Sequence, residues 1–330
     1  MKLVNGIRGN RLIRATTMRT RLLAPLGTLI FASLALAGTA QAASPPSVST
    51  GGPRNVSYAS ATLTGSVNPH GVETSFYFQY GATKIYGGQT TIASAGAGTR
   101  AVSVSLPVTG LQPLSVYHYR LVAVNGAGPS IGRDRTLVTT KVPLSLAILV
   151  APDPIVYGGA ITVEGTLSGT DNANRPVVLQ GDSFPYTAGF QNVGNPELTT
   201  AVGGFSFPVL GLATLTQFRV VTTTSPPVVS PVALANVAVR ITPHVGRASR
   251  PNYLRIYGTV SPASTGTRVE ILRIVHGHAE YVAGTFLRSL TATSSRFSRA
   301  IPARRGVYRV FVKVTDGAQL SNYSSFVLIG

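Results

Sequence analysis

The sequence predicts an all-β chain of three tandem antiparallel β-sandwiches behind a cleaved leader, and three observations carry that prediction. Beyond position 42, short runs rich in Val, Thr, Tyr and Phe alternate apolar with polar, the period of a half-buried strand, and no 3.6-residue periodicity competes with them. Gly and Pro, 35 and 22 of the 330 residues, punctuate those runs as turn formers do. Two composition breaks divide the rest into parts of about 95 residues, the size of one sandwich each.

The leader comes first. Residues 1–42 carry six cations (Lys2, Arg8, Arg11, Arg14, Arg19 and Arg21) and no acid. An apolar run from Leu22 to Ala37 follows, and then Ala40-Gln41-Ala42. A positive start, an apolar middle and a small-x-small end make a secretory signal peptide, cleaved between Ala42 and Ala43. The pattern is tidier if translation starts at Met18 rather than Met1. A membrane anchor is the competing reading, but the run is short for a bilayer and is broken by Pro25 and Gly27. Thr39 stands where a lipoprotein signal needs Cys, and no other long apolar run exists. The mature chain is therefore expected to be secreted, extracellular or held at the cell surface, with no membrane span of its own.

The first unit, residues 43–140, is the most sharply patterned. Ala61 to Pro69 reads as its second strand and turn, and Phe76-Tyr77-Phe78-Gln79-Tyr80-Gly81 as its third strand. Leu111-Gln112-Pro113 precedes Tyr117, and alternation then runs through Tyr119, Leu121 and Ala123 to Asn125-Gly126-Ala127-Gly128. A Tyr there can lay its ring on the core and return its hydroxyl to the backbone upstream, so Leu111, Pro113 and Tyr117 form a structural tyrosine corner. These phrases resemble the fibronectin type III domain, in the form common in secreted proteins of high-GC Gram-positive bacteria. The wider family places a Trp in the second strand and this chain has none, so Leu63 or the aromatic run 76–80 is expected to fill that volume.

Residues 141–235 and 236–330 form an internal repeat. Ile161-Thr162-Val163-Glu164-Gly165-Thr166-Leu167-Ser168 matches Leu254-Arg255-Ile256-Tyr257-Gly258-Thr259-Val260-Ser261 at an offset of 93. Farther on, Phe205 meets Phe297 at 92 and Phe218-Arg219-Val220 meets Tyr308-Arg309-Val310 at 90. Strands keep register while loops lose residues, because a one-residue slip turns the core face outward. A Gly after the second strand, Val-x-Leu in the third, Gly-x-Phe in the fifth and Tyr-Arg-Val in the sixth make a pattern that resembles bacterial Ig-like repeat domains. The stretch from Pro226-Pro227 to Asn236 reads as the strand that leaves one copy and enters the next.

Catalytic chemistry is poorly supplied. There is no Cys, and only 10 acids and 5 His serve the whole chain, which excludes disulfides, thiolate metal sites and Cys nucleophiles. His276 and His278 share a strand face and with Glu280 offer a metal set, yet His276-Gly277 reads better as a hairpin turn. Gly181-Asp182-Ser183 has the look of an esterase opening but lacks the downstream Asp-x-x-His that would activate Ser183. Asp171-Asn172-Ala173-Asn174 lacks the spacing of a calcium loop and reads as a turn. No catalytic, cofactor or metal residue is assigned, and no cofactor is expected.

Charge is more informative. Residues 43–140 carry six cations and two acids, residues 141–236 three and five, and residues 237–330 thirteen and three. The last unit is strongly basic, and its Arg forks suit phosphate and carboxylate. The candidate anion-binding residues are Arg255, Arg268, Arg273, Arg296, Arg299, Arg304, Arg305, Arg309 and Lys313, softened if strand pairing sets Glu270 beside one of them. In the run from Tyr308 to Val314, taken as the last strand, Arg309 and Lys313 are expected outward. The expected function is a non-catalytic spacer, adhesion or binding module held to an anionic cell-wall polymer or polysaccharide, with nucleic acid bound only non-specifically. The alternative is a secreted hydrolase with acid and base residues on loops.

Overall fold

A computed structural model of the chain describes residues 43–330, so the expected signal peptide, Ala42 included, lies outside the described residues. Every regular element in that span is a strand. Strands β1 (Ser47–Thr50), β2 (Ser60–Asn68), β3 (Thr74–Gly81), β4 (Gly88–Gln89), β5 (Ala93–Gly96), β6 (Val102–Thr109), β7 (Val116–Asn125), β8 (Gly128–Ile131) and β9 (Arg135–Val138) enclose one core. A second core lies among β10 (Ser145–Ala151), β11 (Ile155–Val156), β12 (Gly159–Ser168), β13 (Pro176–Ser183), β14 (Gln191–Asn192), β15 (Glu197–Leu198), β16 (Gly204–Leu212), β17 (Thr216–Thr222) and β18 (Ala233–Ala235). After the short bridge β19 (Val237–Ala238) come β20 (Arg240–Arg247), β21 (Tyr253–Ser261), β22 (Arg268–Val275), β23 (His278–Phe286) and β24 (Arg288–Thr291). The chain ends with β25 (Ser294–Pro302), β26 (Gly306–Val312), β27 (Asn322–Tyr323) and β28 (Val327–Ile329), around a third core.

Each core is pressed between two antiparallel sheets: β1-β2-β6 against β4-β3-β7-β8, β10-β12-β16 against β14-β13-β17-β18, and β20-β21-β25-β24 against β23-β22-β26-β27. Alternation explains why. Along β17, Thr216, Phe218, Val220 and Thr222 are buried while the residues between them are half-buried, so one side of the pleat faces the core. Tyr308, Val310 and Val312 are buried in the same way along β26, and Lys313 just beyond it is exposed. That strand is not the last, because β27 and β28 both pair with it afterwards.

The repeated glycine sits inside the second strand of each sandwich, not after it. Ile148 pairs with Gly165 and Pro243 with Gly258. A Cβ on Gly165 would stand 2.3 Å from the Ala147 carbonyl and 2.4 Å from Phe205, and on Gly258 2.1 Å from Thr242 and 2.9 Å from Phe297. Only a residue without a side chain admits the neighbouring strand and the Phe ring together. Gly65 of the first unit meets Ser49 and Leu121 in the same way.

In the first unit, the volume of the missing Trp is shared. Leu63, Phe76 and Phe78 are all buried, the two Phe rings edge to face at 6.5 Å, and fully buried Tyr119 joins them. Tyr119 donates its hydroxyl to the Gly51 carbonyl at 2.7 Å, and burial pushes its pKa up to about 12. Leu111 is buried, and the Gln112 N–H donates to the Tyr117 hydroxyl at 2.9 Å across the Pro113 bend. Asn125 donates to the Ser44 carbonyl and accepts from the Ala127 N–H, fixing the end of β7 to the segment just before β1.

The second and third sandwiches are clamped through residues 236–239. The N–H groups of Ile155 and Tyr157 donate to the carbonyls of Asn236 and Ala238 at 2.9 and 2.8 Å. On the other side, the Val239 N–H donates to Leu320 at 3.1 Å and the Leu320 N–H to Val237 at 2.7 Å. Val237 and Val239 have no exposed surface, so the connection is part of the core and not a free linker.

Candidate functional site

Six of the thirteen cations of the third unit lie on one sheet. Arg240, Arg247, Arg255, Arg288, Arg296 and Arg299 all belong to β20-β21-β25-β24, and all six are exposed. No Asp or Glu lies on those strands; Glu270 and Glu280 are on the opposite sheet and Asp316 is in the loop after β26.

Register places three cross-strand rows on the outer face. One holds Thr242, Thr259, Arg296 and Arg288; the next holds His244, Tyr257 and Ser298; the third holds Gly246, Arg255 and Ala300. Because Gly246 has no side chain, the Tyr257 ring lies against it, 3.2 Å from where a Cβ would stand. The imidazole of His244 is tilted against that ring at 5.6 Å, and the Arg255 guanidinium lies 5.9 Å from its centre. Arg288 stands directly opposite Arg296, a like-charge pair that is unfavourable without a counter-ion. Arg299 pairs with Ile256, on the inward parity, yet it is exposed where β25 has run past the end of β24.

A groove of about 570 Å³ runs over this face between Arg255, Tyr257 and Arg296. A second hollow, about 370 Å³, shares Arg296 and Ser298 with it and extends to Arg288 and Phe286. A third, about 520 Å³, shares Phe286 and continues to Arg268 and Lys313. Through these shared residues the three neighbour one another along one basic track, and no carboxylate lines any of them.

Of the other sequence candidates, Arg268, Arg273 and Arg309 are held by partners of their own. Arg268, at one end of the track, pairs with Glu270 at 3.0 Å, so the anticipated softening by Glu270 falls there. Arg309 donates to the Ser324 carbonyl at 3.0 Å, and its guanidinium packs over Tyr323 and Phe326 at 4.9 and 4.8 Å. Arg273 sits opposite Tyr308 and donates to the Arg305 carbonyl at 2.9 Å, bracing the 303–305 turn, while its Nε is buried without a partner. The side chains of Arg304 and Arg305 are exposed on that turn, off the track. Sequence reading missed Arg240, Arg247, Arg288, His244 and Tyr257; the signal for Arg288 lay in β24, too short and irregular to stand out as a strand.

Other singled-out residues have plain surroundings. His276 and Gly277, at φ 49° and 83°, form the two-residue turn between Val275 and His278. Among the described residues, no three His, Asp or Glu side chains gather as a metal site. The Ser183 hydroxyl lies 3.1 Å from that of Thr216. Asp171 and Asn174 take left-handed backbone in their turn, and Asp171 is held below the ordinary carboxylate range by its bond to Lys141, with Arg175 near.

One polar cluster was not anticipated. On the outer face of the first unit, Tyr86 donates to Asp134 at 2.6 Å and His118 Nδ1 lies 2.8 Å from the other Asp134 oxygen. Burial pushes Tyr86 up to about 12, helped by its bond to Asp134. Burial opposes ionisation of Asp134, but the bonds from Tyr86 and His118 outweigh it and hold that carboxyl below its usual range.

No family model matches the chain, and no curated protein matches it. Among solved structures, it is similar to the FN1–FN3 domains of chicken CNTN1, at 14% identity over 86% of this chain and 97% of that one, with TM-score 0.31. It is similar to a stretch of titin domains at 15% identity over 86% and 98%, TM-score 0.33. A tetra-tandem repeat from the extending region of a large adhesion protein gives 14% over 86% and 74%, TM-score 0.29. Values this low assign neither family nor function.

Proposed function

We propose that the protein is a non-catalytic, secreted or surface-associated modular protein, a spacer and adhesion element that attaches to anionic cell-wall polymer or polysaccharide through its third unit. The observation that supports this reading is the sorting of charge: six exposed Arg on one sheet without an acid. The related sheet of the second unit, β10-β12-β16, has no Arg or Lys at all, so the basic face is specific to one copy of a repeated fold. A face of one sign attracts polyanions and releases their counter-ions on binding. Nucleic acid enters only as another polyanion, held through phosphate without base readout.

The test is retention of the full chain on immobilised cell-wall polymer, heparin and DNA at rising salt. Binding at low ionic strength with steep loss on adding salt is expected; no retention at low ionic strength would end the reading. The export half of the reading is checked by N-terminal sequencing of the product outside the cell, which should begin at Ala43. The hydrolase alternative draws on the His118–Asp134 pair, and ester or glycoside hydrolysis abolished by His118→Ala would favour it.

A further inference from the structure

The basic track has a direction and a chemistry beyond charge. Its three hollows follow one another over the surface, the first two sharing Arg296 and the last two Phe286, an elongated arrangement that suits an extended chain rather than a compact ion. Two aromatic rings lie along it with their surfaces open, Tyr257 at 41% exposure and Phe286 at 62%. Tyr257 lies against Gly246 on one side and beside the His244 imidazole, which leaves its ring at the surface of the groove. Arg288 and Arg296 are held side by side with no acid on their sheet, which leaves a place for an anionic group between them. Thr and Ser hydroxyls, among them Thr259, Ser298, Thr267 and Thr315, line the same path.

We infer that this track binds a carboxylated polysaccharide, with Tyr257 and Phe286 as platforms for sugar rings and the Arg288–Arg296 pair gripping a carboxylate. The inference rests on the polyanion reading above and narrows it to one surface and one ligand class. Aromatic faces accept the C–H side of a sugar ring, hydroxyl side chains match sugar hydroxyls, and a guanidinium fork takes a carboxylate through two parallel bonds. A single-stranded nucleic acid would ask instead for a succession of stacking rings, and hydroxyl side chains outnumber the two rings here. The second unit is an internal contrast: by the repeat offsets, Thr162, Glu164 and Gly204 stand where the third has Arg255, Tyr257 and Arg296.

The experiment measures binding of the full chain to polygalacturonate, dextran sulfate, neutral dextran and single-stranded DNA, with thermal unfolding of each variant as a folding check. Tyr257→Ala and Phe286→Ala should each weaken polygalacturonate binding about fivefold and leave DNA binding within about twofold. Arg288→Ser with Arg296→Ser should weaken polygalacturonate binding about tenfold or more, whereas Arg304→Ala with Arg305→Ala, off the track, should change it less than about twofold. Equal losses from the two Arg pairs would overturn the track in favour of diffuse charge, with polyanion binding itself intact. Insensitivity to Tyr257→Ala would remove the sugar platform, and a preference for DNA that falls with Tyr257→Ala would reassign the surface to nucleic acid. A preference for dextran sulfate over polygalacturonate would overturn the carboxylate assignment. Retention of none of the polyanions would remove both this inference and the broader reading.

Discussion

The hydroxyl of Tyr308 donates to the carbonyl of Arg304, four residues upstream, at 3.0 Å, while the ring itself is buried in the third core. The same kind of lock joins Tyr117 to the Gln112 N–H in the first unit, and Phe218 leaves the second unit without one. A hydroxyl deleted from such a partly sheltered bond costs about 1 kcal/mol. Tyr308→Phe and Tyr117→Phe should each lower stability by about that amount in urea unfolding, in their own units. Unchanged midpoints would show that the hydroxyls carry no net weight.

Gly258 is the tighter of two equivalent contacts with the first strand of its sandwich. Gly258→Ala forces a methyl into the Thr242 carbonyl and the Phe297 ring, and should destabilise the third unit by about 3 kcal/mol. Gly266, at φ +86° with open space around it, is the matched control for backbone strain without a clash. Calorimetry of Gly258→Ala and Gly266→Ala separates the two effects, and the first should lose clearly more.

The clamp at 236–239 predicts that the second and third sandwiches unfold together. Val239→Pro removes the N–H that Leu320 accepts and should split the shared calorimetric transition in two. Val239→Ala keeps that bond and should lower the joint transition by about 2 kcal/mol without splitting it. A wild-type profile already resolved into independent transitions would contradict the coupling.

Acid should weaken the first unit through Asp134. Its carboxyl is held below the ordinary value in the folded chain, so its stabilisation is complete above the unfolded pKa of about 4 and is lost as pH falls through the folded value. Tyr86 gives the opposite limb. Its pKa is raised to about 12, so its stabilisation is complete below about pH 10 and is lost as pH climbs through 12. Unfolding midpoints across pH should show both limbs, with Asp134→Asn flattening the acid one and Tyr86→Phe reducing the alkaline one, of which buried Tyr119 supplies the rest.

Much of the architecture was legible because it is local. Alternation in 216–222 and 306–312 shows which side chains share a face, since successive residues of a strand must point opposite ways. The offset between Gly165 and Gly258 reports one packing problem solved twice, each glycine against its own Phe. The tyrosine corner at Leu111, Pro113 and Tyr117 is likewise a contact within seven residues of chain.

The basic track was not legible, although every one of its residues is in the sequence. Strand parity places Arg255 and Arg296 outward but does not say that β21 and β25 are neighbours, or that β24 brings Arg288 opposite Arg296. It also set Arg273 and Arg309 among equals, when one braces a turn and the other packs on Tyr323 and Phe326. The sequence by itself determined the β class, the repeat and the excess of positive charge, because those follow from composition and from spacing along one strand. Only tertiary structure decided that six Arg of the third unit share a sheet without an acid and that hollows lined by Arg neighbour one another, because pairing between strands far apart in the chain depends on how the sheets close over their cores.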